Sequence, residues 1–389
     1  MALPVMHRLR IADVRAETND SISVAFDIPD DLHAAYRFQA GQFLTLASQV
    51  SGEALRRSYS ICSSQAEYAG ASRLRVGIRQ VNGGRFSNWA RDHLKPGEAI
   101  EVMTPDGRFG IAFAHDRRAH YLGIAGGSGI TPVLSLIKTA LETEADSRFT
   151  LIYGNRSVSS IMFLEELEGL KNRYLERLAL FHVLSEEATE IELLSGLLDE
   201  ARMAQLLARA IPTGDIAHAF VCGPAPMMDA AERALVGAGL PRERIRIERF
   251  ASPDGPQLSS GRDASTGDAG VSGAQARAIG AGRAGCDTRS ATDASPGARV
   301  TVVIDGKARA LQVPFGGSSI LDVGIAAGLN LPFACKAGVC CTCRAKVLEG
   351  EVRMDRHYTL EPHEIAAGFV LTCQSHPVSE TVRLSYDER

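Results

Sequence analysis

The sequence has no surplus of positive charge: 42 Lys and Arg stand against 46 Asp and Glu, a formal net charge of −4. It therefore lacks the electrostatic footprint of a nucleic-acid or anionic-membrane binder. It also lacks a long apolar run. The longest uncharged stretch, Tyr121–Ile137, has 17 residues with four Gly and one Pro, whereas a membrane helix needs about 20 apolar residues. A buried strand, turn and helix fits this stretch better. Met1–Arg15 has charges but no apolar core run of a secretory signal, so the expected location is the cytoplasm. Aromatics are 6% of residues, with one Trp. There is no internal repeat and only one Cys-x-x-Cys hook.

What is present is uneven. Of eight cysteines, five fall in the last 55 residues, at 335, 340, 341, 343 and 373. A disulfide framework suits short exported chains, so clustered cysteines here point to metal binding or redox chemistry. From Ser252 to Ala298 the chain is mostly Ser, Gly, Ala, Asp and Arg, with Leu258, Val271 and Ile279 its only large aliphatics. That composition predicts a flexible linker, because it cannot bury enough apolar surface to offset ordering its backbone. Its Cys286 reads as an exposed, unliganded thiol.

At 389 residues the chain has room for two or three domains. Residues 1–114 carry alternating stretches such as Leu74–Gln80 between Gly and Pro turns, which read as antiparallel strands. Residues 115–251 change pattern. Tyr121–Ala125, Phe149–Tyr153 and Ala219–Cys222 read as strands, and Pro132–Leu141, Phe163–Tyr174 and Met227–Val236 as helices, which implies a parallel α/β sheet. Residues 252–298 are the linker and 299–389 a small C-terminal domain. In that domain Arg299–Ile304 and Ala308–Val313 flank an Asp305-Gly306 turn, a hairpin signature, and Ile320–Ala327 reads as a helix.

The C-terminal cysteines are spaced Cys335-x4-Cys340-x2-Cys343-x29-Cys373, the plant-type 2Fe–2S spacing. Soft thiolates suit iron, and Gly338 permits a tight turn that aims amides at sulfur. The rival is a four-cysteine zinc site, but those usually pair two Cys-x-x-Cys hooks. Cys341 breaks the spacing and reads as a small filler. Sheet, helix and cluster loop in this order resemble the ferredoxin β-grasp fold.

Two further motifs lie upstream. Arg57-Ser58-Tyr59-Ser60 follows the extended run Gln42–Leu46, and Gly83-Gly84-Arg85-Phe86-Ser87-Asn88 comes about 25 residues later. The pair resembles the flavin-binding domain of the ferredoxin–NADP reductase superfamily. The resemblance implies that Arg57 pairs with flavin phosphate, Tyr59 packs on the isoalloxazine and Ser60 hydrogen-bonds near N5. Gly83, Gly84 and Ser87 would hold the pyrophosphate through amides and a hydroxyl, with Arg79 adding charge nearby. A plain strand connection is the bland alternative for the glycine turn.

Gly126-Gly127-Ser128-Gly129-Ile130-Thr131-Pro132 follows a strand and opens a helix. The glycines allow a tight turn near phosphate, Thr131 is the expected N-cap and Pro132 the first helical residue. This run matches the superfamily's GGxGITP variant. Arg156 and Ser157, after Tyr153-Gly154-Asn155, resemble the adenosine-ribose region and are candidates for a 2′-phosphate. Cys222-Gly223-Pro224 resembles the segment that places the nicotinamide. Cys222 is either a buried thiol beside the hydride path or a filler at a strand end. Glu248-Arg249-Phe250 resembles the closing segment near the flavin, with a surface ion pair the alternative for Glu248.

Three such sites fit one task. A nicotinamide gives two electrons as hydride, a 2Fe–2S cluster accepts one at a time, and a flavin does both, so it sits between them. The expected catalytic residues are Ser60, Cys222 and Glu248. No His, Asp or Glu constellation for activating oxygen stands out. Over all three domains the chain is similar to the reductase subunits of ring-1,2-phenylacetyl-CoA epoxidase, at Arg56–Ser64, Gly83–Ala90, Tyr153–Ser157, Leu170–Leu178, Cys335–Asp355 and Leu371–Pro377. Only the linker departs, being longer than usual. The resemblance implies FAD, a 2Fe–2S cluster, NADPH as donor and a di-iron oxygenase partner. A reductase for a Rieske-type steroid hydroxylase shares the domain order, and a redox-sensing module without turnover is the alternative from another class.

Overall fold

The computed structural model describes residues 4–250, 270–272 and 297–388, which fall into two compact units, one within residues 4–261 and the other within 262–389.

The first unit opens with six strands: β1 (Met6–Thr18), β2 (Ser21–Asp27), β3 (Phe43–Val50), β4 (Glu53–Ser60), β5 (Arg73–Arg79) and β6 (Ala99–Met103). They form an antiparallel sheet in the order β4-β3-β6-β1-β2-β5. The two ends of that order meet, because Ile61 bridges Val76 of β5 and the Cys62 amide donates to the Arg75 carbonyl at 2.8 Å. Closure removes exposed sheet edges and makes a barrel. Alternating inward residues such as Leu9, Ile11, Val24, Phe26, Leu44, Leu46, Val76 and Ile78 fill it. Two short helices, α1 (Gln65–Ala71) and α2 (Arg85–His93), interrupt the strands, which the strand patterning does not anticipate. The Ser64-x-x-Glu67 capping box that starts α1 is readable in the sequence.

The same unit continues as an α/β layer. Its strands are β7 (His120–Gly126), β8 (Arg148–Asn155), β9 (Leu178–Leu184), β10 (Ile216–Cys222) and β11 (Ile245–Glu248). Its helices are α3 (Ile130–Thr143), α4 (Leu164–Arg173), α5 (Glu200–Ala210) and α6 (Ala225–Gly237). All strands are parallel in the order β11-β10-β7-β8-β9. The chain winds outward from β7 through β8 to β9, then returns to the other side of β7. The switch point therefore lies between β7 and β10, where ligands bind in open α/β sheets. Barrel and layer pack closely: a Cβ added at Gly77 of β5 would lie 2.5 Å from the Thr131 methyl, and the Ser135 hydroxyl donates to the Ser63 carbonyl at 2.7 Å.

In the second unit, β12 (Gly270–Ser272) is followed by β13 (Gly297–Ile304), β14 (Lys307–Pro314), α7 (Ile320–Ala326), β15 (Arg344–Glu349), β16 (Glu351–Met354), α8 (Pro362–Ala366), β17 (Phe369–Leu371), β18 (Ser375–Pro377) and β19 (Thr381–Ser385). A five-stranded sheet runs β14-β13-β19-β15-β17, with β13 and β19 parallel. Helix α7 packs on it through Ile320 and Leu321. Asp305 and Gly306 both have positive φ, 50° and 69°, as a type I′ hairpin requires. Within the expected linker, Gly270–Ser272 pair antiparallel with Glu351–Arg353. Residues 251–269 and 273–296, with Cys286, lie outside the described residues.

Candidate functional site

The first cluster of expected residues sits on the barrel. Antiparallel pairing sets Leu46 opposite Arg57, Leu44 opposite Tyr59 and Phe43 opposite Ser60. Arg57 and Tyr59, two apart, share one face of β4. The Tyr59 ring lies 6.0 Å from that of Phe86, which is buried in the first turn of α2. Burial pushes the Tyr59 phenol up, so the ring stays neutral. Ser60 is buried beside it in sequence.

The glycine turn closes immediately before α2. Gly83 has φ +73°, and no side chain caps the helix at Gly84. The Ser87 hydroxyl instead accepts the Val81 amide at 3.2 Å. A Cβ on Gly84 would sit 2.7 Å from that hydroxyl, so only glycine leaves the turn intact. A helix N-terminus without a side-chain cap, with Arg57 and Arg85 on the same domain, suits a diphosphate.

The second cluster lies at the switch point. After β7 the chain makes a 3-10 turn at Gly127–Gly129, and α3 begins at Ile130. Thr131 is therefore not the N-cap, and Pro132 is not the first helical residue. The added turn starts the helix early, and the Thr131 hydroxyl donates to the Ser128 carbonyl at 3.0 Å. The glycines are needed for close approach. A Cβ at Gly129 would lie 2.1 Å from the Cys222 carbonyl oxygen, and one at Gly126 would lie 2.7 Å from Met227 sulfur and from Pro224. The structure thus brings Gly126, Gly127, Gly129 and Thr131 together with Cys222 and Gly223, which the sequence separates by some ninety residues. Tyr153 donates its hydroxyl to the Gly127 carbonyl at 2.9 Å.

Cys222 is fully buried and lies opposite Glu248 in the β10–β11 register. Burial first, and the Glu248 charge second, push its thiol well above the ordinary range. It stays protonated and is no nucleophile. Phe250, just past β11, is 40% exposed. Arg79 is expected near flavin phosphate. Its guanidinium lies at the nucleotide turn, where a Cβ on Gly127 would come within 2.6 Å of Nη1, and it also pairs with Asp20 at 2.9 Å. Arg156 reaches the same carboxylate, and Ser157 opens a 3-10 turn in which its amide donates to the Ser160 hydroxyl at 3.1 Å.

The third cluster is in the second unit. Cys335, Cys340, Cys343 and Cys373 are all buried, and the thiols perturb one another's ionisation, Cys335 chiefly with Cys340 and Cys343 chiefly with Cys373. Four buried thiols are the donor set that would hold a 2Fe–2S cluster. Gly338 turns the loop at φ +77°. The Ala337 amide donates to the Cys335 sulfur at 3.3 Å. The bond from Cys340, helped by the Ala337 and Val339 amides, outweighs burial and holds Cys335 below the ordinary thiol range. Cys340 is pushed up first by its bond to Cys335, and Cys343 first by its bond to Cys373. A donor set with amides aimed at sulfur fits a thiolate-ligated cluster. Cys341 turns away at φ +58° and meets the Thr359 hydroxyl at 2.9 Å.

Sequence reasoning misses Asp20, the buried Lys138 with its two carboxylates, and Gln374. The Gln374 carboxamide donates to the Lys336 carbonyl at 3.0 Å and to the Cys373 carbonyl at 2.9 Å, stitching the three-cysteine loop to the fourth cysteine. Only the Lys138 position has a local signal, a charge inside the apolar run Val133–Leu141.

Comparison with known proteins agrees domain by domain. Residues 8–111 match an oxidoreductase FAD-binding domain, 124–233 an oxidoreductase NAD-binding domain and 302–378 a 2Fe-2S iron-sulfur cluster binding domain. The chain is 41% identical to a component of the 1,2-phenylacetyl-CoA epoxidase of Escherichia coli K12, covering 100% of this chain and 99% of that one. It is 33% identical to the ferredoxin reductase component of 3-ketosteroid-9-alpha-monooxygenase of Rhodococcus rhodochrous, covering 97% and 96%. A solved phthalate dioxygenase reductase shares the fold, with TM-score 0.55 and 22% identity over 98% of each chain.

Proposed function

The chain belongs to the family of reductase components that serve multicomponent oxygenases, and on that premise we propose that its acceptor is a di-iron oxygenase that epoxidises phenylacetyl-CoA. It is an oxidoreductase with FAD-, NAD- and 2Fe–2S-binding domains that moves electrons from NAD(P)H to an oxygenase. The observation that carries the choice of acceptor is the 41% identity over the whole chain to the epoxidase component, against 33% to the steroid-hydroxylase reductase.

The bound groups supply the redox chemistry: FAD takes a hydride's electrons and passes them singly, and the 2Fe–2S cluster exports them. The chain's own residues hold these groups. Arg57 would counter flavin phosphate, the neutral Tyr59 ring would back the isoalloxazine, and the Ser60 hydroxyl would hydrogen-bond to the flavin ring. The Gly83-Gly84 turn, Ser87 and the start of α2 take the pyrophosphate. Gly126, Gly127, Gly129 and Thr131 shape the pyridine-nucleotide turn at the switch point, with Cys222 and Gly223 beside the nicotinamide. The buried, protonated Cys222 excludes water there, while Glu248 and Phe250 close the flavin side. Arg156 and Ser157 meet a 2′-phosphate, which makes NADPH the donor. Cys335, Cys340, Cys343 and Cys373 ligate the cluster. None of the seven described cysteines forms a disulfide, which suits the reducing cytoplasm. Among the described residues no helix is long and apolar enough to cross a membrane.

The test supplies the purified chain and either NADPH or NADH to the phenylacetyl-CoA epoxidase and, in parallel, to a Rieske-type steroid hydroxylase. Turnover with the first and NADPH is expected. Turnover with the steroid system alone would replace the acceptor, and a failure of NADPH to bleach flavin and cluster on rapid mixing would point to a sensor.

A further inference from the structure

Asp20 sits in the tight turn between β1 and β2, and no motif marks it. Its Oδ2 accepts from Arg79 Nε at 3.0 Å and from Arg79 Nη2 at 2.9 Å. The same oxygen accepts from Arg156 Nη2 at 3.4 Å. Its other oxygen takes the Thr18 hydroxyl at 2.8 Å. The two arginines are held unequally. Arg79 is doubly bonded and 19% exposed, pinned between Asp20 and the Gly127 turn. Arg156 makes one long contact and is 58% exposed. Burial works against ionisation of Asp20, but Thr18 and the two arginines outweigh it and hold its carboxyl low. One permanent anion therefore stands between two guanidiniums at the mouth of the nucleotide turn.

We propose that Asp20 is a specificity-determining latch: it fixes Arg79 on the nucleotide turn and holds Arg156 only until the phosphate of an incoming nucleotide takes Arg156 away. This rests on the reading that Arg156 receives the 2′-phosphate. A phosphate carries more charge than the carboxylate and offers bidentate geometry to a guanidinium, so the exchange runs toward the nucleotide. Breaking the Asp20 contact still opposes it. An exposed pair of this length is worth about two- to fivefold in a binding constant. The latch therefore lowers affinity for the phosphorylated dinucleotide and leaves the unphosphorylated one untouched. It also ties the barrel turn to the end of β8 before nucleotide arrives.

Calorimetric titration of the flavin- and cluster-loaded full chain with NADP+ and with NAD+ tests this. Asp20→Asn, which keeps the shape and removes the charge, should tighten NADP+ about two- to fivefold relative to NAD+. The gain should vanish when Arg156→Gln is added. Arg156→Gln alone should weaken NADP+, and that result stands or falls with the reading of Arg156 itself. If Arg156→Gln weakens NADP+ but Asp20→Asn fails to tighten it, the latch is overturned and the reading survives. Equal tightening of both nucleotides also overturns the latch, since general electrostatics then suffice. No effect of Arg156→Gln on NADP+ removes reading and latch together.

Discussion

Lys138 Nζ lies 2.8 Å from a carboxylate oxygen of Glu166, and its side chain is 2% exposed. A second carboxylate, Glu67 of α1, meets the same ammonium at 2.8 Å, and Glu166 also pairs with Arg75 of β5. The hub spans both halves of the first unit. Helix α3, which begins at the nucleotide turn, is fastened by its middle to the flavin barrel. A buried cation held by two anions is costly to leave half-made: removing one partner of such a set typically costs about 3–5 kcal/mol. Glu67 is 45% exposed and Glu166 keeps Arg75, which favours the lower end. Lys138→Met should therefore destabilise the first unit by about 3 kcal/mol, read as a lower urea midpoint at unchanged slope. An unaltered midpoint would show that the hub is incidental.

Glu166 also gives the molecule an acid limit. Burial raises its pKa, but the charges of Lys138 and Arg75 and their hydrogen bonds more than offset this, so the folded value is depressed below the ordinary 4.5. A carboxylate with a depressed folded pKa binds fewer protons in the folded state. Its contribution is present in full above pH 4.5 and is lost as pH falls through the lower, folded value. Thermal scans from pH 6 downward should show wild-type stability falling below about pH 4.5. Glu166→Gln should start lower and fall less steeply over the same window. Parallel curves would assign the acid limit to other groups.

Gly129 makes the closest approach in the nucleotide site. A methyl group there would overlap the Cys222 carbonyl at 2.1 Å and the Gly223 amide nitrogen at 2.8 Å, both backbone atoms that cannot rotate away. Overpacking of this kind costs about 1–3 kcal/mol, which is about five- to 150-fold in affinity if it is taken from nucleotide binding. Gly129→Ala should raise the NADPH KM by about that factor while flavin and iron content per chain stay at wild-type levels. An unchanged KM would separate the turn from the nucleotide.

Much of this is legible in the sequence, for local reasons. The Asp305-Gly306 hairpin, the cysteine spacing and the glycine turn after β7 are each set by a few adjacent residues whose backbone needs are specific. Chain distance hides the rest. Asp20 is 59 residues from Arg79 and 136 from Arg156, and a lone Asp in a turn looks like ordinary turn chemistry. The role of the Thr131 hydroxyl escapes sequence reading because a 3-10 turn and an α-helix share the same glycine-rich start, and only the fold decides where one becomes the other.

Gln374 supplies the last test, at the cluster loop. Its carboxamide joins Lys336 and Cys373, and its Nε2 lies 3.7 Å from the Cys373 sulfur. It also packs where a Cβ on Gly338 would lie, 3.2 Å from its Cγ. Leucine at this position fills a similar volume but leaves two carbonyls without that donor, at about 1–3 kcal/mol for each buried group left unpaired. It also removes a dipole that favours electron density on sulfur, and hydrogen bonding near the sulfurs helps set cluster potential. Gln374→Leu should release iron to a chelator faster than wild type and move the cluster midpoint to a more negative potential, with the flavin midpoint unmoved. A second substitution, Cys341→Ser, probes the same loop without touching the stitch, and should leave iron content and potential unchanged. If Cys341→Ser loses iron and Gln374→Leu does not, the loop is held by the Cys341–Thr359 contact and the stitch is dispensable.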